Sequence, residues 1–335
     1  MSFLHKKVEY HYNLVTKTAT KFMTFPSVQA MDFHRNSQNL AYVKDDNIYV
    51  KHLDEEASQL TTDGGKGIVY GQAVHRNEFG IMGGLFWSEN GANLAFYRMD
   101  ESMVTDYPIY NLKDTPASMQ NIKYPVAGAK SHHVTVGVYN VKNGSTVYLK
   151  TGGDPESYLT NIAWTPDEKN VLIARLNRGQ NKMELEEYNG TTGKKVKTHF
   201  KETNSRYVEP ENPALYQKGA EEGCYYWQSE RDGYNHIYLY KNGKLKKQIT
   251  KGNWMVTGIV GQDKDLPYLT KEVKELYFTA TKKSALETHY YHVDAVNETT
   301  SSITKESGNH YCIPNEDFTL WIDVFSSMDV PNRTQ

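Results

Sequence analysis

Cysteine is nearly absent: Cys224 and Cys312 are the only two among 335 residues. A pair so far apart forms neither a disulfide framework nor a zinc pattern, and reads as two unpaired, small apolar side chains. No apolar run approaches the roughly 18–20 residues of a membrane-spanning helix. The opening stretch, MSFLHKKVEYHYNL, also lacks the uninterrupted apolar segment and small-residue cleavage site of a signal peptide. Neither sign of charge is in surplus. Against 38 Lys and Arg stand 40 Asp and Glu, for a formal net charge of −2, so nucleic acid is not an expected partner.

Motifs of catalysis are missing too. The chain contains no G-x-S-x-G elbow, no H-E-x-x-H, no phosphate-binding loop and no dinucleotide fingerprint. His132 and His133 are adjacent, so on a strand they face opposite sides and cannot readily chelate one metal. Asp100 and Glu101 of DESMV are paired acids without a positioned cleft around them. The sequence therefore predicts no catalytic residue, no metal site and no cofactor within this chain.

What the chain does have is tyrosine, 25 residues against 11 phenylalanines, in a composition 12% aromatic. Tyrosine suits half-buried sheet positions, where the ring packs and the hydroxyl stays wet. No long stretch keeps a helical period, and one β unit recurs instead. Its copies begin at Asp32 (DFHRNSQNLAYVKDDNIYVKHL), Leu85 (LFWSENGANLAFYRMD), Ile162 (IAWTPDEKNVLIARL), Tyr225 (YYWQSERDGYNHIYLYKNG) and Lys274 (KELYFTATKK), and a sixth starts at Ile313. SENG, TPDE and ERDG are turn sequences, and NIYVKHL alternates at the period of a strand with one buried face. Units of roughly 45–55 residues with this content predict an all-β chain of the β-propeller class. About six blades or partial blades are visible over residues 1–335, taken as a single domain, with KVEYHYNLVTKTATKF as a leftover strand pair. Two stretches break the period: 98–130, read as an irregular insertion, and 63–84, which lengthens the first connection and contains GQAVHRNEFGIMGG. A carboxylate in a surface loop is ordinarily just solvated, but long connections in a compact fold are where function sits. That marks Glu78.

The segments NIYVK, LFWSENGANLAFYRMDESMV, YPVAGAKSHHVTVGVYNV, YVEP and WQSERDGYNHIYLY resemble the N-terminal propeller of the dipeptidyl peptidase IV family. Among its members the chain is most similar to bacterial prolyl tripeptidyl peptidases, in which a segment like VHRNEFGI also occurs. The resemblance runs from about Val8 to Asn332. It implies an eight-bladed propeller ahead of an α/β-hydrolase domain with a Ser-Asp-His triad. This chain is then expected to be a piece lacking the first blade or two and the hydrolase domain, and inactive alone. The whole protein would be a periplasmic, secreted or cell-surface serine exopeptidase that cleaves after proline, with possible homodimers through open edges. Dipeptidyl members bind the substrate's free N-terminus with adjacent Glu residues; tripeptidyl members keep one. By resemblance Glu78 takes that role, and its neighbours Asn77 and Phe79 are not acidic. Arg76 is a candidate to hold Glu78, with solvent as its alternative partner, and Arg206 and Tyr207 of SRYVEP are candidates to line the substrate cavity. The competing reading is a non-catalytic interaction module or pseudo-peptidase, which a nucleophile elbow beyond Gln335 would exclude.

Overall fold

The computed structural model describes residues 2–53, 55–216, 221–260, 275–294, 297, 299–315 and 318–335. These residues form seven small antiparallel sheets of the propeller-blade type, with no α-helix among them. The first sheet comprises Ser2–His5, Val8–Asn13 and Thr18–Thr24, so the leading strand pair is a third strand richer than its sequence suggests. The second runs Ala30–His34, Asn39–Lys44, Asn47–His52 and Ser58–Gln59. Five strands make the third: Ile68–Tyr70, Leu85–Trp87, Asn93–Asp100, His133–Asn140 and Ser145–Tyr148. The fourth holds Tyr158–Trp164, Asn170–Leu176, Lys182–Asn189 and Lys195–Thr203. Cys224–Ser229, His236–Lys241 and Lys244–Gln248 make the fifth, and Val256–Ile259, Glu275–Ala280, His289–Asp294 and Thr299–Ser302 the sixth. Asn309–Pro314, Trp321–Ser326 and Arg333–Thr334 form the seventh. Of the fifth sequence repeat, Lys274, Ala295, Val296 and Glu298 lie outside the described residues, as do Glu316 and Asp317 of the sixth.

Local chemistry explains the hairpins. Asp45 and Asp46 take φ of 51° and 59°, and Asn242 and Gly243 take 50° and 81°, the paired positive angles of two-residue turns that match strand twist. Directly across the first of these turns, Tyr42 faces Tyr49 with rings stacked at 5.4 Å.

The chain divides into two compact units. One contains the first three sheets together with residues 158–159, 167–170 and 188–195 of the fourth. Its core includes Ala41, Val43, Ile48, Tyr70, Leu85, Leu94 and Phe96, drawn from the inward faces of the second and third sheets. The other contains the remainder of the fourth sheet and the last three, around Tyr226, Ile237, Val256, Leu276, Phe278 and Val293. The stretch read as an irregular insertion is ordered: Asp106–Asn111 and Ser118–Lys123 pair as a hairpin arm. Periodicity could not reveal it, because both strands are almost wholly exposed and show no buried face.

Candidate functional site

The third sheet carries an interrupted strand. Ile68–Tyr70 and Leu85–Trp87 both pair with Asn93–Asp100, the first opposite Arg98–Asp100 and the second opposite Leu94–Phe96. Between the two contact stretches lies Tyr97, and at that point the chain leaves the sheet as GQAVHRNEFGIMGG. Both ends of the excursion are pinned to one residue. Gly71 N–H donates to Tyr97 O at 2.8 Å, and Tyr97 N–H donates to Gly84 O at 3.0 Å. Closure this tight requires Gly84, since a Cβ there would sit 2.2 Å from Gln72 O. The segment is thus an Ω-loop with fixed ends.

Its tip is strained. His75, Arg76 and Asn77 have φ of 52°, 55° and 64°, and Phe79 has 57°. Left-handed backbone at non-glycine residues costs on the order of 1–3 kcal/mol each, least for Asn, and persists only where surroundings enforce it. Here burial enforces it. Val74, His75, Phe79 and Ile81 are all buried, with Phe79 and His75 both packed edge-on against Tyr158 at 5.0 and 4.9 Å. Asn77 Nδ2 also donates to Ile81 O at 3.1 Å. Between these anchors Arg76, Asn77 and Glu78 are exposed. Among the described residues no side-chain hydrogen bond or ion pair engages the Glu78 carboxylate. A strained turn therefore presents one uncommitted negative charge.

Arg76 does not hold it. The guanidinium reaches Glu101 at 3.4 Å and lies 5.9 Å from the centre of the Tyr124 ring, so the pairing expected from adjacency in sequence goes elsewhere. Glu101 needs that partner: burial pushes its carboxyl above the usual range and Arg76 opposes the shift. The two acids of DESMV have separate tasks, since Asp100 accepts from Ser102 N–H and Oγ in a turn. Beneath the tip, His75 and His132 are in contact, Nδ1 to Nε2 at 2.8 Å. In the sequence His132 stands out only as half of a doublet unsuited to chelating a metal, and nothing singles out His75 as its partner. Among the described residues no three His, Cys, Asp or Glu side chains group as metal ligands.

Arg206 and Tyr207 belong to the second unit, and both are exposed. Arg206 is fixed through its backbone, whose N–H donates to Asn204 Oδ1 at 2.9 Å. Tyr207 meets Glu230, whose charge raises the phenol. The residues that follow them line a cavity of about 160 Å³ with Glu209, Glu211, Glu230 and Gln228. Burial, then the charge of neighbouring Glu209, raises the carboxyls of Glu211 and Glu230. Neither Arg206 nor Tyr207 lines that cavity. Both cysteines are free thiols; burial pushes Cys312 well up, which makes it inert as a nucleophile.

The sheets and the interrupted blade define a β-propeller. A solved Bacteroides ovatus protein assigned as a dipeptidyl aminopeptidase IV matches 99% of this chain at TM-score 0.85 and 35% identity, using 48% of its own length. Porphyromonas gingivalis dipeptidyl peptidase 4 matches 99% at TM-score 0.81 and 25% identity, using 47% of its length. Dipeptidyl aminopeptidase B of Saccharomyces cerevisiae is 26% identical over 282 residues, which is 77% of this chain and 33% of that protein. Residues 5–332 match the family described as the dipeptidyl peptidase IV (DPP IV) N-terminal region, and the chain belongs to it. It spans about a third of the length of its curated relatives and about half that of the solved chains.

Proposed function

We propose that this chain is the substrate-gating propeller of a periplasmic or cell-surface serine exopeptidase, and that Glu78 binds the substrate's α-ammonium group. The observation that carries the proposal is the uncommitted carboxylate at the tip of a loop whose backbone is held in a costly conformation. A free α-amino group titrates near 7.7–8.0, so it is largely cationic at neutral pH. Exposed in water, a single ion pair contributes about 1 kcal/mol or less. Enclosed with the substrate between this chain and a C-terminal hydrolase domain of the same protein, loss of one partner costs on the order of 3–5 kcal/mol. A carboxylate at a set distance from a nucleophile also acts as a ruler for the N-terminus.

Relatives are named for dipeptide release. The single carboxylate here, flanked by Asn77 and Phe79, supports release of tripeptides after proline. Glu78→Gln in the whole enzyme is expected to lower kcat/KM on free N-terminal peptides a hundredfold or more and to leave N-acetylated peptides little changed. Equal loss on both would mean that Glu78 supports the fold. Mass spectrometry of products from peptides with proline second or third from the N-terminus reads the ruler directly; dipeptides as the main product would overturn the tripeptidyl reading. A homodimer belongs to the same proposal, supported by the exposed apolar arm at 106–123.

A further inference from the structure

We infer that His75 and His132 are positioning residues for Glu78, forming a latch that holds the tip of the Ω-loop only while both imidazoles are neutral. The inference rests on the reading of Glu78 as the ammonium anchor. A backbone N–H can only donate, so any ring nitrogen it meets must offer a lone pair. Leu159 N–H donates to His75 Nε2 at 3.2 Å, and His75 N–H donates to His132 Nε2 at 3.2 Å. Both Nε2 atoms are therefore unprotonated. The 2.8 Å contact between the rings must then run from His75 Nδ1–H to His132 Nε2. Each tautomer is fixed by the other, and the chain of donors runs from Leu159 through His75 to His132.

This chain fastens the residue where the left-handed run begins. Both rings are buried, His75 at 3% and His132 at 2% exposure. Tyr158 lies edge-on to His75 at 4.9 Å, and Glu156 accepts from Ser131 N–H beside His132 at 3.0 Å. On the loop itself, Arg76 turns to Glu101 and Glu78 points to solvent. A proton added to either Nε2 would set N–H against N–H, and no rotation of a buried ring restores the pattern. Acid therefore releases the latch. An imidazole freed to solvent titrates near 6.5, so at pH 5.5 the open tip gains about tenfold per imidazole that charges on opening.

The substrate cannot produce the same trend. Its α-amine is already cationic below pH 7, and a free carboxylate keeps its charge at pH 5.5. A rise in KM between pH 7.5 and 5.5, confined to free N-terminal peptides, would come from the loop.

The test has two arms. Amide hydrogen exchange of residues 75–81 and Leu159, corrected for intrinsic rates, is compared at pH 8 and 5.5, with amides of the strand Asn170–Leu176 as reference. The wild type should lose tenfold or more of its tip protection in acid while the reference holds. His132→Gln, whose amide oxygen accepts from His75 without titrating, leaves His75 as the single imidazole and should lose less protection in acid than the wild type; His132→Phe should lack it at both values. Unchanged wild-type protection at pH 5.5 would overturn the latch, and that comparison needs no variant to fold. In the whole enzyme, KM for free N-terminal peptides should rise in acid for wild type and rise less for His132→Gln, with kcat following one profile in both. If exchange responds as expected and Glu78→Gln leaves KM for free N-terminal peptides unchanged, the latch stands and the anchor reading falls.

Discussion

Glu211 is one of the acids lining the 160 Å³ cavity whose charge the fold disfavours. Burial raises its carboxyl, and Glu209 and Glu230 raise it further. A carboxyl raised on folding means that the folded chain binds the proton more tightly than the unfolded one. Such a group favours folding in acid, and that contribution is lost as pH rises through the folded value. Glu211→Gln should therefore raise the melting temperature at pH 7.5, by about 1 °C, since each kcal/mol shifts a large domain by only a few degrees. The gain should vanish near pH 4, where the wild-type carboxyl is protonated as well. A gain of the same size at both values would place its origin in packing and not in charge. Arg76 teaches a related lesson at the same scale. Adjacency in sequence suggested Glu78 as its partner, yet three successive left-handed residues turn it toward Glu101, whose half-buried carboxyl has the greater need of a cation.

The Ω-loop shows what patterns along the sequence can and cannot deliver. That 71–84 lies in an excursion from the sheet was legible, because the stretch 63–84 breaks the repeat. Its geometry was not. The strain at His75–Asn77 is enforced by Tyr158 and Leu159, and the contact between His75 and His132 joins residues 57 positions apart. No local preference encodes either; left to themselves these side chains would avoid positive φ. The doublet at 132–133 was the only sequence trace of the latch, and spacing could not say that one member is buried before the strand begins. The glycines at the loop's base permit a sharper test than its tip does. In Gly84→Ala the new Cβ must displace the Gln72 carbonyl, 2.2 Å away, and so pull apart the closure on Tyr97. The expected outcome is a Glu78-like phenotype without loss of the carboxylate: kcat/KM on free N-terminal peptides falls tenfold or more, while N-acetylated peptides change little. Equal loss on both substrates would show that the base of the loop supports the sheet more than the site.

At the scale of the whole molecule, the repeat made the propeller class readable because each blade carries its own turns and alternation. The hairpin arm was unreadable for the converse reason, since it buries nothing that would impose a period. That is also its physical problem. An isolated two-stranded hairpin is marginal in water, and this one exposes Tyr107, Ile109, Tyr110, Leu112 and Met119. Its base is tied down: Lys123 pairs with Asp106 at 3.0 Å and donates to Val104 O, and Tyr107 lies against Tyr124 with ring centres 5.8 Å apart. Beyond the base, large side chains stand in solvent, and such a concentration marks a surface that another body covers. In the proposed homodimer a second copy of the chain would supply a matching arm under a two-fold axis, where each apolar face would meet its own equivalent. Charging the tip should therefore split the pair without unfolding the blades. Tyr110→Lys combined with Leu112→Glu is expected to sediment at the mass of one chain at micromolar concentration, where the wild type is expected at twice that mass, with the melting temperature of the blades retained. A wild-type chain that sediments singly under the same conditions would leave the arm without a partner of its own kind and remove the dimer from the proposed function.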